Sequence, residues 1–204
     1  MKTQAGQPLA GYEVLLGVTG GIACYKSADL VSKLVQAGAG VTVAMTASAE
    51  QFITPLTFQT LCLRPVFRNL WQATEEWKSG HISLTEQADL FLLAPATANI
   101  LAKMACGLAD DLVSTLALAS SGECPILVAP AMNTRMWLAP PTQANMKRLA
   151  SWGVQVVGPG VGFLACRDIG PGRMAEPAEI LSAATKILKK KRPKGVRGES
   201  PRRN

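Results

Sequence analysis

Four short, almost wholly apolar runs recur along the chain: Tyr12 to Val18, Val41 to Met45, Leu90 to Ala94 and Pro125 to Ala129. Each is too short for a helix, and none alternates apolar with polar residues. A strand that is apolar at every position has no face to offer water, so both of its faces must be covered. The runs are separated by stretches with helical periodicity, and Val154 to Val157 reads as a last strand. Strand and helix in alternation, with strands buried on both sides, imply a parallel sheet between two helical layers.

The chain therefore reads as a single doubly wound, Rossmann-like α/β domain. The first helix follows Thr19-Gly20-Gly21, runs through Gln36 and breaks at Ala37-Gly38-Ala39-Gly40. Thr54-Pro55 reads as a helix start, with threonine as cap and proline in the first turn. A long helix is expected over Asn99 to Leu118, another from about Thr142 to Trp152, then a glycine-rich loop and a closing helix over Pro177 to Leu188. No internal repeat is visible. The boundaries that follow are an N-terminal extension over 1–11, the domain over 12–188 and a basic tail over 189–204.

The net charge of +7 belongs to that tail. Residues 186–204 hold nine Lys/Arg and one Glu, whereas the remainder holds twelve Lys/Arg and thirteen Asp/Glu. A basic block with Pro and Gly reads as a solvated, disordered segment, and no nucleic-acid partner is expected. Hydrophobic residues make up 48% of the chain, ample for a large core. No apolar run approaches the roughly 18 to 20 residues that span a bilayer. Met1 to Gly11 lacks the apolar stretch of a secretory signal, so a cytoplasmic location is expected. The five cysteines form no C-x-x-C pair and there is one histidine, which disfavours a zinc site, and no metal is expected. Most of the cysteines read as buried core residues.

In doubly wound folds ligands bind at the C-terminal ends of the strands. Those ends are Thr19 to Ile22, Thr46, Pro95 to Asn99, Pro130 to Asn133 and the loop after Val157. The first turn lacks G-x-G-x-x-G spacing, and Thr46 stands where a dinucleotide site would place an acid for the ribose. Gly20 and Gly21 at a helix start with Thr46 opposite suit a mononucleotide phosphate. Glycines at such a turn serve the turn itself as often as a ligand, and the residues alone leave both readings open.

Four segments carry a more specific signal: GVTGGIACYK (17–26), APATANILAK (94–103), PAMNTRMW (130–137) and LACRDIGPGRMAEP (164–177), with His81-Ile82 ahead of Ala88-Asp89. Together they resemble the flavin-containing cysteine decarboxylases, from about Tyr12 to Leu188. The resemblance implies a flavodoxin-like fold, an FMN cofactor and a homotrimer with each site at a subunit boundary. It implies decarboxylation of 4'-phosphopantothenoylcysteine to 4'-phosphopantetheine in coenzyme A biosynthesis. Peptidyl-cysteine decarboxylation of the lantibiotic type and a non-catalytic regulatory flavoprotein are the alternatives.

By position, the resemblance places Gly20, Gly21, Ile22 and Thr46 along the FMN phosphate and ribityl chain. It places Thr97, Ala98, Asn99 and Ala131 beside the flavin, and Asn133 and Met136 at the substrate. His81 is assigned to the oxidation and decarboxylation half, and Cys166 to protonating the enethiolate that decarboxylation leaves. Two positions depart from the family's pattern. Glu86 is acidic where a basic residue is frequent, and Arg167 stands where glycine is common. Many bacterial members carry a fused C-terminal ligase domain, for which 204 residues leave no room.

Overall fold

The computed structural model of the chain describes residues 7–70, 80–163, 165, 167 and 169–194, with the backbone alone at His81. Among these, β1 (Glu13–Val18), β2 (Gly40–Met45), β3 (Val66–Phe67), β4 (Leu90–Ala96), β5 (Ile126–Pro130) and β6 (Gln155–Val156) form one parallel sheet. Its order is β3-β2-β1-β4-β5-β6. The central strands are largely apolar because alternate residues serve different cores. Val14, Leu16, Val43, Met45 and Leu92 meet α1 (Cys24–Gln36), α3 (Pro55–Cys62) and α9 (Pro177–Leu188) through Leu30, Phe58 and Ile180. Leu15, Phe91, Leu93 and Val128 meet α5 (Ala98–Cys106), α6 (Leu112–Ala119) and α8 (Pro140–Ser151) through Leu101, Val113 and Leu149. On that second side α4 (Gly80–Gln87) packs against α6.

The expected helix over Asn99 to Leu118 is two helices. Gly107 ends α5 with φ 70°, a left-handed position that suits glycine, and its N–H reaches the Lys103 and Met104 carbonyls. Asp111 starts α6 with a reciprocal capping box, its carboxylate accepting from the Ser114 N–H while the Ser114 hydroxyl accepts from the Asp111 N–H. The backbone at His81 lies in the first turn of α4. The helix expected from Thr142 begins at Pro140, preceded by α7 (Thr134–Leu138). The glycine-rich loop contains an antiparallel hairpin, β7 (Gly160–Phe163) with β8 (Ile169–Arg173). The short β3 and α2 (Ala47–Glu50) carry no legible pattern, and the last strand shrinks to an exposed two-residue edge.

Both ends of the described residues engage the body. Leu9 is fully buried in the core beside α1, and its N–H donates to the Ala37 carbonyl at 2.8 Å. Beyond α9, the Lys191 carbonyl accepts from the Tyr12 hydroxyl at 2.8 Å and the Lys194 N–H donates to Asp89 Oδ1 at 2.8 Å. The basic segment thus begins as ordered chain. Cys24 and Cys124 are buried, and burial pushes both thiols up, whereas Cys62 is half-buried and Cys106 exposed. Among the described residues no cluster could hold a metal, and no helix is long and apolar enough to cross a membrane.

Candidate functional site

The chain passes from β1 to one side of the sheet and from β4 to the other, which opens a crevice at their C-terminal ends. Thr19 joins the two ends. Its buried hydroxyl donates to the Pro95 carbonyl at 2.7 Å and accepts from the Thr97 N–H at 3.2 Å. Above it lies a cavity of 820 Å³. Gly20, Gly21, Ile22, Thr46, Thr97, Ala98, Asn99, Ala131, Asn133 and Met136 all line it. Residues separated by more than 100 positions in sequence therefore share one wall.

The two glycines differ in what they do. A Cβ on Gly20 would lie 2.4 Å from Ser48 Cβ and 2.7 Å from the Ser48 carbonyl, so the turn packs directly on α2. A Cβ on Gly21 would find only Thr97 Cγ2, at 3.9 Å. Gly20 serves the close approach, and Gly21 borders open space. Among the described residues, none accepts from the N–H groups of Gly20, Gly21 or Ile22. These are donors of the kind a phosphate or a carbonyl-rich ring can take up.

The side chains also carry local structural duties. Thr46 caps α2 by accepting from the Ala49 N–H at 3.2 Å, and Thr97 caps α5 by accepting from the Ile100 N–H at 3.4 Å. Asn133 caps α7, its Oδ1 accepting from the Arg135 N–H at 2.8 Å. Its carbonyl oxygen is thus partly committed, and a substrate contact through that atom has to share it. Met136 is half exposed at the cavity rim. The Met132 N–H donates to the Gly172 carbonyl at 2.9 Å, which ties the hairpin to the loop before α7.

His81 and Cys166 have a different standing. The backbone of His81 lies in the first turn of α4, and its side chain is outside the described residues, as is the whole of Cys166. Ala165, next to Cys166, lines the cavity. Arg167 has φ 68°, a left-handed conformation that a side chain adopts at a cost, which is the physical reason glycine suits this position.

Sequence reasoning assigned no role to Lys26, Ser48, Lys103, Asp111 or Phe163, which line the cavity together with Arg173. Lys26 is buried and bonded to the Met174 carbonyl at 3.2 Å and Glu176 Oε1 at 2.9 Å. Arg173 Nη2 donates to the same Glu176 oxygen at 2.6 Å. The Lys26 ammonium, with help from Arg173, holds the Glu176 carboxyl below the usual glutamate range. Lys103 meets Asp110 and Asp111, each at 2.6 Å, and these contacts push its ammonium up. Lys26 closes the GVTGGIACYK segment, where its charge is visible in the sequence. Its partner 150 residues away was not.

A mononucleotide flavin fits this donor set. Its phosphate suits the unpartnered N–H groups of the first turn, and its ring suits the apolar walls from Ala98, Ala131 and Met132.

The same architecture recurs in proteins of known structure. A PPC decarboxylase mutant complexed with pantothenoylaminoethenethiol matches 87% of this chain and 98% of its own, with TM-score 0.78 and 32% identity. The FMN binding protein AtHal3 matches 89% and 99%, with TM-score 0.77 and 31% identity. In sequence, the "Probable phosphopantothenoylcysteine decarboxylase" of Streptococcus mutans is 47% identical over 169 residues, 83% of this chain and 94% of the relative. The Coenzyme A biosynthesis bifunctional protein of Escherichia coli is 49% identical over 176 residues, 86% of this chain and 43% of the relative. The chain spans slightly less than half the length of such bifunctional relatives. Residues 2–189 match the Flavoprotein family, nearly the whole of the folded chain. With the crevice, its free donors and this match in agreement, the chain belongs to the Flavoprotein family.

Proposed function

We propose that this chain is an FMN-dependent decarboxylase that converts 4'-phosphopantothenoylcysteine to 4'-phosphopantetheine in coenzyme A biosynthesis. The observation that carries the proposal is convergence. Ten residues named from the sequence and scattered over positions 20 to 136 line a single cavity of a size that suits a mononucleotide and a short substrate arm.

A carboxylate beside a CH₂–SH group does not leave readily, because the electrons it deposits have no acceptor. Bound FMN supplies a two-electron oxidation that turns the thiol carbon into such an acceptor, and afterwards returns the electrons. The protein's part is to bind, orient and move protons. The N–H groups of Gly20, Gly21 and Ile22 hold the phosphate end. Asn133 presents its amide N–H to the substrate carboxylate, and Met136 packs beside the substrate cysteine. His81 handles the proton in the half that releases CO₂, a role suited to an imidazole neutral near pH 7. Cys166 returns a proton to the enethiolate in the second half.

The exposed apolar residues Ile22, Tyr25, Met136 and Phe163 gather at the cavity rim. Such a rim supports a homotrimer whose neighbouring subunit completes each site. A cytoplasmic location accords with free cysteines and a diffusible substrate.

The test is a spectrum followed by a product assay. Purified protein should be yellow and release about one FMN per chain on denaturation, the single-cavity stoichiometry. It should form CO₂ and 4'-phosphopantetheine from 4'-phosphopantothenoylcysteine. Release of FAD, or turnover of a C-terminal cysteine peptide with none of the pantothenoyl substrate, would overturn the proposal.

A further inference from the structure

Helix α4 has a weak C-terminus of its own. It is eight residues long, has no basic side chain in its last turn and carries Glu86 there, the wrong sign for that end of the helix dipole. A helix of two turns holds together through packing and its caps rather than through propensity. The missing cation arrives from the other end of the chain. Lys194 Nζ donates to the Glu86 carbonyl at 2.9 Å and to the Thr85 carbonyl at 3.4 Å, two of the C-terminal carbonyls a helix leaves without partners. The Lys194 N–H donates to Asp89 Oδ1 at 2.8 Å, while Asp89 Oδ2 accepts from the Glu13 N–H at 2.9 Å. The segment from Lys189 to Lys194 is further pinned by the Tyr12 hydroxyl on the Lys191 carbonyl. Lys194 is therefore bound by three hydrogen bonds to the helix end and to the start of β4.

The opposite end of the same helix carries His81 in its first turn. We propose that Lys194 is a positioning residue for the decarboxylation, clamping the C-terminal end of α4 so that His81 at its N-terminal end is held in register. This rests on the reading of His81 given above. It departs from the expectation that the basic segment is solvated and disordered: its first six residues belong to the working domain.

The experiment compares Lys194→Met, Lys194→Arg and His81→Asn in the full chain loaded with FMN. Hydrogen exchange at the amides of residues 83–88 reads the clamp directly, without reference to activity. Lys194→Met should speed that exchange about tenfold, the scale of a charge-assisted hydrogen bond lost at a helix end. It should lower kcat for CO₂ release about three- to tenfold with KM and flavin content unchanged, since among the described residues none of α4 lines the cavity. Lys194→Arg, which can still donate to both carbonyls, should restore both. Unchanged exchange in Lys194→Met overturns the clamp. Faster exchange with unchanged kcat, where His81→Asn abolishes CO₂ release, overturns the positioning role. Full turnover by His81→Asn would sink the reading of His81 and this role together, and the exchange result would still decide the clamp by itself.

Discussion

The two ends of the sheet are built from similar residues and behave oppositely. At the N-terminal end polar groups satisfy one another. Arg64 reaches both Glu13 oxygens and Thr42 Oγ1, Asp89 joins the Glu13 and Lys194 N–H groups, and the space beneath Lys194 amounts to 50 Å³. At the C-terminal end the Gly20–Ile22 turn finds no acceptor for its N–H groups among the described residues, beside a cavity of 820 Å³. Neither charge content nor glycine count separates the two. What separates them is whether the donors already have partners: the C-terminal end keeps N–H groups to offer a ligand.

The comparison breaks most decisively at His81. Replacing it with Asn should cut CO₂ release at least about 100-fold, the low end for loss of a general acid or base, with flavin content and Tm little changed. Trapped CO₂ measures this directly, and near-normal release would remove His81 from the site.

Cys166→Ser should separate the two halves of the reaction. CO₂ should still appear, but the product should be an enethiol two hydrogens short of the normal thiol, with oxygen taking the electrons left on the flavin. Mass spectrometry of the product decides, and ordinary thiol at the normal rate would make Cys166 a bystander.

Gly20 and Gly21 sharpen the contrast within one turn. Gly20→Ala forces a methyl against Ser48 and should cost about 1–3 kcal/mol of stability, the range for overpacking. Gly21→Ala should leave stability within about 0.5 kcal/mol and weaken FMN binding instead. Denaturant titration beside flavin titration distinguishes them, and equal destabilisation by both would erase the assignment of separate roles.

The N-terminal end should respond in stability alone. Arg64→Ala removes a part-exposed, bidentate pair with Glu13 and should cost about 1 kcal/mol, or roughly 2–4 °C in Tm, while flavin content stays the same. A loss of flavin at unchanged Tm would mean that the two ends are coupled.

The smallest effect concerns pH. Glu176 is held below its ordinary value by Lys26, so its contribution is present above about pH 4.3 and is lost as pH falls through the lower folded-state value. Because the carboxylate is half exposed, the contribution should stay below about 1 kcal/mol. The Tm gap between the parent and Glu176→Gln should be widest near neutrality and close toward pH 3. A gap that widens in acid would reverse the assignment.

Much of the fold was legible because the pattern is local. Fully apolar runs such as Leu90 to Ala94 can only be strands buried on both faces, and the closing helix over Pro177 to Leu188 begins with proline at its first position, as observed. The division of the helix expected over Asn99 to Leu118 was also written locally, in Gly107 and the Asp111–Ser114 capping box, but the apolar periodicity continues across it and masked the break. The hairpin of β7 and β8 was hidden because glycine-rich segments carry little periodicity, and its ladder depends on a partner strand rather than on sequence pattern.

By itself the sequence determined the parallel, two-faced sheet and the placing of motifs at its C-terminal ends. These follow from period, length and residue type within a few turns of chain. Only the tertiary structure decided that Gly20 serves packing while Gly21 borders the cavity, that Lys26 is neutralised by Glu176, and that Lys194 caps α4. Those facts depend on which atoms approach within hydrogen-bonding or van der Waals distance across separations of 28, 150 and 108 residues. At such separations the chain's own periodicity carries no record of the partner, and the closed packing of the two cores selects it.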